Sequence, residues 1–228
     1  MVNVIKNPGK NTVVDIVFGG GKYGLEAARY LMSEGREFVV IDVDENCPVR
    51  AKFDLPEYRK GTRKSSFMKG GIKELIDVFF DLQPEYVFPT APVHMAGALL
   101  MEHLDLEIWY EGIDSVLSGL PVKLVVSAGR GSVVVSYNRD RECIPECRAP
   151  DVCPVTGIKK PAPMYDLVRF AIPDGFVIES HYLQPGLGAI KGEKLRELIE
   201  WAENRDSVLV ATACRCHGVI TALRRAGR

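Results

Sequence analysis

With 228 residues the chain suits one large α/β domain or a domain of ~130 residues with a smaller companion, and either can bury a substantial core. Apolar residues make up 46% and charged residues 26%, the composition of an ordinary globule, and 29 basic against 30 acidic side chains leave no general attraction to nucleic acid or a membrane surface. The longest uncharged stretch, Tyr86 to Met101, spans 16 residues with two prolines and His94, short of the roughly 20 apolar residues that cross a bilayer.

The N-terminus, Met1 to Pro8, has neither the apolar run nor the small-residue cleavage site of an export signal, so a cytoplasmic location is expected. From there the chain alternates. Strands are predicted at 13–18, 37–43, 86–89, 107–110 and 122–127, and helices at 22–34, 70–82, 93–104 and 113–118. Gly35 fits the end of the first helix, whose Leu25, Ala28, Leu31 and Met32 form an apolar stripe. Residues 44–69 carry no clear period apart from the basic run 59–64.

Gly129-Arg130-Gly131 reads as the turn of a hairpin between 124–126 and 133–135. A cysteine- and proline-rich segment, 143–163, follows, and its prolines exclude a regular helix or central strand. The α/β pattern resumes with a strand at 176–179, a helix at 191–203, a strand at 207–213 and a helix from about His217. The expected organisation is a doubly wound parallel sheet over 1–125 and a cysteine-containing α/β extension over 126–228, whose strands either extend the first sheet or form their own.

Between the first strand and the first helix stand Gly19, Gly21 and Gly24, in the order strand, G-x-G-x-x-G, helix. Gly19 would permit the tight turn, Gly21 the approach of a pyrophosphate, and Gly24 close packing of the helix, whose free N–H groups attract phosphate. Lys22 and Tyr23, at the start of that helix, complete the predicted loop site. The second strand ends in Asp42, 18 residues beyond Gly24, where a carboxylate would accept the ribose hydroxyls and repel a 2′-phosphate, favouring NAD over NADP. Asp44 is a second candidate for that role, and an adenine mononucleotide would satisfy the same motif.

The wording Phe18-Gly19-Gly20-Gly21-Lys22-Tyr23-Gly24-Leu25-Glu26-Ala27-Ala28, with Val39-Val40-Ile41-Asp42-Val43-Asp44, resembles the nucleotide-binding domain of TrkA-type potassium-uptake regulators, the RCK family, over residues 11–125. That resemblance implies a Rossmann domain that binds NAD(H) or an adenine nucleotide, commonly dimerises, and regulates a transport partner. The strand and Gly-Gly-Gly turn also look similar to the NAD-dependent precorrin-2 dehydrogenases of sirohaem synthesis.

Five of the six cysteines lie beyond residue 140. Cys143, Cys147 and Cys153 form C-x3-C-x5-C in a segment that a metal clamp would hold in shape, and Cys214 or Cys216 would supply a fourth ligand. An iron–sulfur cluster, zinc and metal-free thiols are all open, with His217 either a further ligand or a residue of a helix start. His94 would face the cofactor as an acid or base, or cap a helix. His103, His181 and Cys47 have no neighbours that argue for chemistry, 184–192 reads as a glycine-rich connector, and Arg224 to Arg228 as a solvated tail.

Two functions follow from these features. One is a regulator that senses nucleotide through its first half and redox state or metal through its second. The other is an NAD-linked oxidoreductase passing electrons through the cysteine site.

Overall fold

The structure, a computed structural model, describes residues 13–145 and 147–227. Its elements run β1 (Val14–Phe18), α1 (Lys22–Ser33), β2 (Glu37–Asp42), α2 (Pro48–Phe53), β3 (Ser66–Lys69), α3 (Ile72–Leu82), β4 (Tyr86–Pro89), α4 (Met95–Leu104), β5 (Leu106–Ile108) and α5 (Tyr110–Ser118). After a short 3-10 turn come β6 (Val125–Gly129), β7 (Ser132–Ser136), α6 (Met164–Ala171), β8 (Phe176–Glu179), β9 (His181–Gln184), β10 (Leu187–Lys191), α7 (Gly192–Ala202), β11 (Ser207–Ala213) and β12 (His217–Arg225).

Two mixed sheets result. The first has the order β3-β2-β1-β4-β10-β9, with β3, β2, β1 and β4 parallel and the last two strands antiparallel. The second has the order β6-β7-β12-β11-β8, with β5 also pairing β12. Every residue of β1 is buried, as expected of a parallel strand covered on both faces.

Alternation along β1 assigns the faces. Val17 packs with Ala27, Ala28 and Leu31 of α1 and Val49 of α2, whereas Val14, Ile16 and Phe18 pack with apolar residues of α3, α4 and α7. That second cluster continues into Ile178, Val208, Val210 and Leu223 of the second sheet, so α3, α4 and α7 form a layer between the sheets. The far side of the second sheet, including Ala211, Ala213, Ile220 and Ala222, packs on α5 and α6. The fold is a mixed α/β structure compatible with a Rossmann-like sheet, followed by a cysteine-containing α/β extension.

Several expectations need correction. The sheets do not part the chain at residue 125, because β5 joins the second sheet and β10 returns to the first beside β4. The connector 184–192 contains the β9–β10 turn and all of β10. Residues 217–225 form a strand, since the tight turn 214–216 folds β12 back on β11 and its apolar residues are used on both faces of the sheet. Arg224 therefore lies in that strand, paired with Glu107 at 2.9 Å, and is no loose tail. Residues 44–69 hold α2 and the edge strand β3, too short to show a period. The N-terminal reading, residues 1–8, lies outside the described residues, and among those described no helix is long and apolar enough to cross a membrane.

Candidate functional site

The glycine loop joins β1 to α1 at the C-terminal end of the parallel strands, where the chain crosses from β3 on one side of β1 to β4 on the other. Open α/β sheets bind ligands at such switch points. Gly19 has φ +109°, and a Cβ there would lie 2.5 Å from the Ala91 nitrogen. At Gly24 a Cβ would lie 2.0 Å from the Gly19 carbonyl oxygen, so α1 begins in direct contact with the turn that feeds it. Nothing lies within 4 Å of the corresponding position at Gly21, the residue that caps α1. Lys22 and Tyr23 are exposed beside that opening, with the Lys22 ammonium 5.5 Å from the Tyr23 ring centre.

Asp42 closes the far side of the loop. Its Oδ2 accepts a hydrogen bond from the Gly20 amide at 2.5 Å and its Oδ1 one from the Asp44 amide at 2.8 Å. A carboxylate has about four acceptor sites, so both oxygens keep capacity for a ligand's hydroxyls. Asp44 instead accepts from the Asn46 amide and shapes its own turn. Cys47 packs beneath the loop, where burial pushes its thiol pKa up. On the other side Thr90 Oγ1, just past β4, donates to the carbonyls of Phe18 and Gly19 at 3.0 and 2.7 Å.

His94 caps α4 and reaches the second sheet. Its Nδ1 lies 2.6 Å from Thr221 Oγ1 and its Nε2 3.1 Å from Thr212 Oγ1. The residue keeps some exposed surface, but both ring nitrogens are enclosed by hydroxyls, and burial lowers its pKa to about 4. A neutral imidazole held at both nitrogens ties the start of α4 to β11 and β12 of the second sheet and does not face the glycine loop as a free acid or base. His103 lies against the Phe80 ring, and His181 begins β9.

Thr212 also lines a cavity of about 500 Å³, walled by Val126, Val134 and Val219, with Pro89 at one side and Ser136, Asn138, Cys214 and His217 among its polar groups. The cysteines collect near this end of the second sheet. Cys214 Sγ lies 3.7 Å from His217 Nδ1, and Cys143 Sγ lies 3.6 Å from His217 Nε2. Burial raises the Cys214 thiol pKa, but hydrogen bonding from His217 and from the Cys216 and His217 amides outweighs it and leaves it below the ordinary value. Cys216 is pushed up by burial despite the Lys160 ammonium 3.2 Å from its sulfur. Cys147 lies close enough to Cys216 to add to that upward shift. Cys153 is buried in the turn completed by Thr156, its amide bonded to the Ile158 carbonyl.

The topology thus brings Cys143 and Cys214 to one imidazole and Cys147 near Cys216, while Cys153 is held in its own turn. Cys143 and Cys214 lie on opposite nitrogens of one imidazole, and among the described residues no three His, Cys, Asp or Glu side chains are grouped to hold one ion. Asn138, Thr212, Thr221 and Lys160 escaped the sequence reading because isolated polar residues in strands and loops carry no spacing signal. The run Ser136-Tyr137-Asn138 after an apolar strand was the one available hint.

Residues 14–95 match the N-terminal domain, and residues 96–226 the C-terminal domain, of one family of proteins described as uncharacterized. The chain belongs to that two-domain family. A relative described as an uncharacterized protein of Archaeoglobus fulgidus is 53% identical over 219 residues, 93% of this chain and 100% of that protein. The family assignment corrects the likeness to TrkA-type regulators and to precorrin-2 dehydrogenases, since neither family covers either half. The residues behind that likeness, Gly19, Gly21, Gly24 and Asp42, are those any dinucleotide loop requires. Among solved structures, a UDP-glucose 4-epimerase from Thermotoga maritima with UDP-glucose aligns with 40% of this chain and 28% of its own, at 22% identity and TM-score 0.27. An N5-carboxyaminoimidazole synthetase from Staphylococcus aureus complexed with ADP aligns with 95% of this chain and 48% of its own, at 14% identity and TM-score 0.31.

Proposed function

We propose that this protein binds NAD(H) at the glycine loop and acts as a dinucleotide-dependent oxidoreductase on a substrate held in the second-sheet cavity. One observation carries the reading. Pro89 pairs in register with Phe18, the residue before the glycine loop, and also lines the cavity that contains Cys214 and His217. A dinucleotide whose pyrophosphate rests at the α1 N-terminus extends across the switch point toward the end of β4, which carries its nicotinamide ring toward Pro89.

The adenosine end is supported by the free space over Gly21 and by the Asp42 carboxylate, with acceptor capacity left for the 2′- and 3′-hydroxyls. A 2′-phosphate would meet that carboxylate with like charge, so NAD is preferred over NADP.

Fluorescence titration of the wild type with NADH, NADPH and ADP tests the site. NADH should bind at least about tenfold tighter than NADPH, and Asp42→Ala should cost NADH about tenfold or more in affinity, the scale of a charge-assisted hydrogen bond of about 1.5–3 kcal/mol. Equal affinity for NADH in wild type and Asp42→Ala would sink the ribose assignment. ADP binding as tightly as NADH would replace the dinucleotide with an adenine mononucleotide.

A further inference from the structure

His217 stands between two of the thiols, Cys143 and Cys214, and Cys214 lines the cavity. We infer that Cys214 is a nucleophile with His217 as its base, and that the cavity takes an aldehyde, which the enzyme oxidises through a cysteine-bound thioester. The inference rests on the NAD(H) reading for its oxidant.

Three observations carry it. Cys214 Sγ lies 3.7 Å from His217 Nδ1, within reach of a thiol-to-imidazole hydrogen bond, and both residues line the 500 Å³ cavity. The same cavity is bounded by Pro89 at the end of β4, which pairs with Phe18 at the entry to the glycine loop. Asn138, 7% exposed, lines it too, and its Oδ1 is buried without a hydrogen-bond partner while its Nδ2 donates to Cys143 Sγ at 3.6 Å. A buried acceptor with no donor is costly unless a ligand supplies one.

The chemistry selects the substrate. A thiol beside an oxidised nicotinamide needs a carbon that it can add to and that afterwards bears a hydrogen able to leave as hydride; an aldehyde meets both conditions. His217 takes the Cys214 proton as sulfur bonds to the carbonyl carbon, and the carbonyl oxygen takes that proton, giving a thiohemiacetal. The C–H bond then breaks with its electron pair passing to C4 of NAD⁺. The hydroxyl proton goes to His217, and a thioester remains on Cys214. Water releases the acid and restores the thiol, so the aldehyde, NAD⁺ and water yield the carboxylate, NADH and two protons. The valine lining favours an apolar aldehyde.

Two arms test this. In the first, the full chain is treated with iodoacetamide at pH 7 and the sites are mapped by mass spectrometry. Cys214 should react at least about tenfold faster than the buried Cys47, His217→Asn should slow it by a similar factor, and propanal should protect it. In the second, NADH formation from NAD⁺ with propanal or benzaldehyde is followed at 340 nm (about), where the wild type should turn over and Cys214→Ser should not. Alkylation that begins at the exposed Cys143, or thiols shielded by stoichiometric iron or zinc until a chelator is added, overturns the nucleophile. A protein that binds NADH but makes none from either aldehyde overturns the substrate class. Failure to bind NADH overturns the preceding reading instead, and the alkylation arm then decides Cys214 alone.

Discussion

The carbonyl oxygen of Gly19 occupies the place where a side chain at Gly24 would begin, only 2.0 Å from an added Cβ. The two glycines let a strand, a turn and a helix meet without a gap. Gly24→Ala should therefore force α1 away from β1 and lower stability by about 2 kcal/mol or more, in the range of overpacking in a filled core. Gly21→Ala puts its methyl into open space and should leave the melting temperature within a few degrees of wild type while weakening NADH, because in the proposed complex the methyl would stand where the pyrophosphate approaches. Thermal melts and NADH titrations of both variants separate a structural glycine from a binding one. Equal effects of the two on binding and stability would refute that division.

Asp15 sits at 0% exposure in β1 and accepts from Arg36 Nε at 2.6 Å, Arg36 Nη2 at 3.0 Å and the Tyr86 amide at 2.9 Å. Removing one member of a buried pair strands the other, at a typical cost of about 3–5 kcal/mol. Asp15→Ala should fall near the lower end, about 3 kcal/mol, since Arg36 keeps its bond to Glu85 at 2.8 Å. Urea denaturation reads the loss as a lower midpoint with an unchanged slope. A midpoint shift worth under about 1 kcal/mol would show that the pair is dispensable.

His94 gives the fold a pH dependence whose sign follows from the lowering of its pKa by burial. Its folded pKa, about 4, lies below the ordinary 6.5, so the unfolded chain takes up the proton first. The contribution of the neutral ring is complete above pH 6.5 and is lost as pH falls from 6.5 toward 4. At about 1.36 kcal/mol per unit the loss approaches roughly 3 kcal/mol. Unfolding free energies of wild type and His94→Asn at pH 7, 5.5 and 4 should differ by a shrinking amount as pH falls; parallel profiles would contradict a buried neutral imidazole between Thr212 and Thr221.

The legible parts of this molecule are those in which each residue's role depends on its near neighbours. The β1–α1 turn is read correctly because Gly19 and Gly24 answer local steric demands. Likewise β7 and β11 betray themselves by runs of branched apolar residues bounded by turn signals. Residues 217–225 were misread because Val219 to Leu223 carry neither a helical nor a clean two-residue period when both faces of the strand are covered. The return of β10 to the first sheet was invisible for a related reason: its partner, β4, lies about 100 residues earlier, and no local preference encodes that pairing.

The candidate site divides in the same way. Asp42 was legible as an acceptor at the end of a strand, while its bond to the Gly20 amide depends on β1 and β2 lying side by side. The five later cysteines suggested a clamp, yet the fold sets Cys143 and Cys214 on opposite nitrogens of His217.

The sequence by itself determined that a glycine turn opens the first helix, that an acidic residue ends the second strand, and that most sulfur lies in the second half. Each is a matter of residue type at short spacing, enforced by backbone sterics and hydrogen bonding. Only the tertiary structure decided that Pro89 borders both the glycine turn and the thiol-lined cavity, and that Asn138 is buried there with an unsatisfied oxygen. Those neighbours meet because two sheets bury their apolar faces against the shared layer of α3, α4 and α7, and that packing brings together residues the chain keeps far apart.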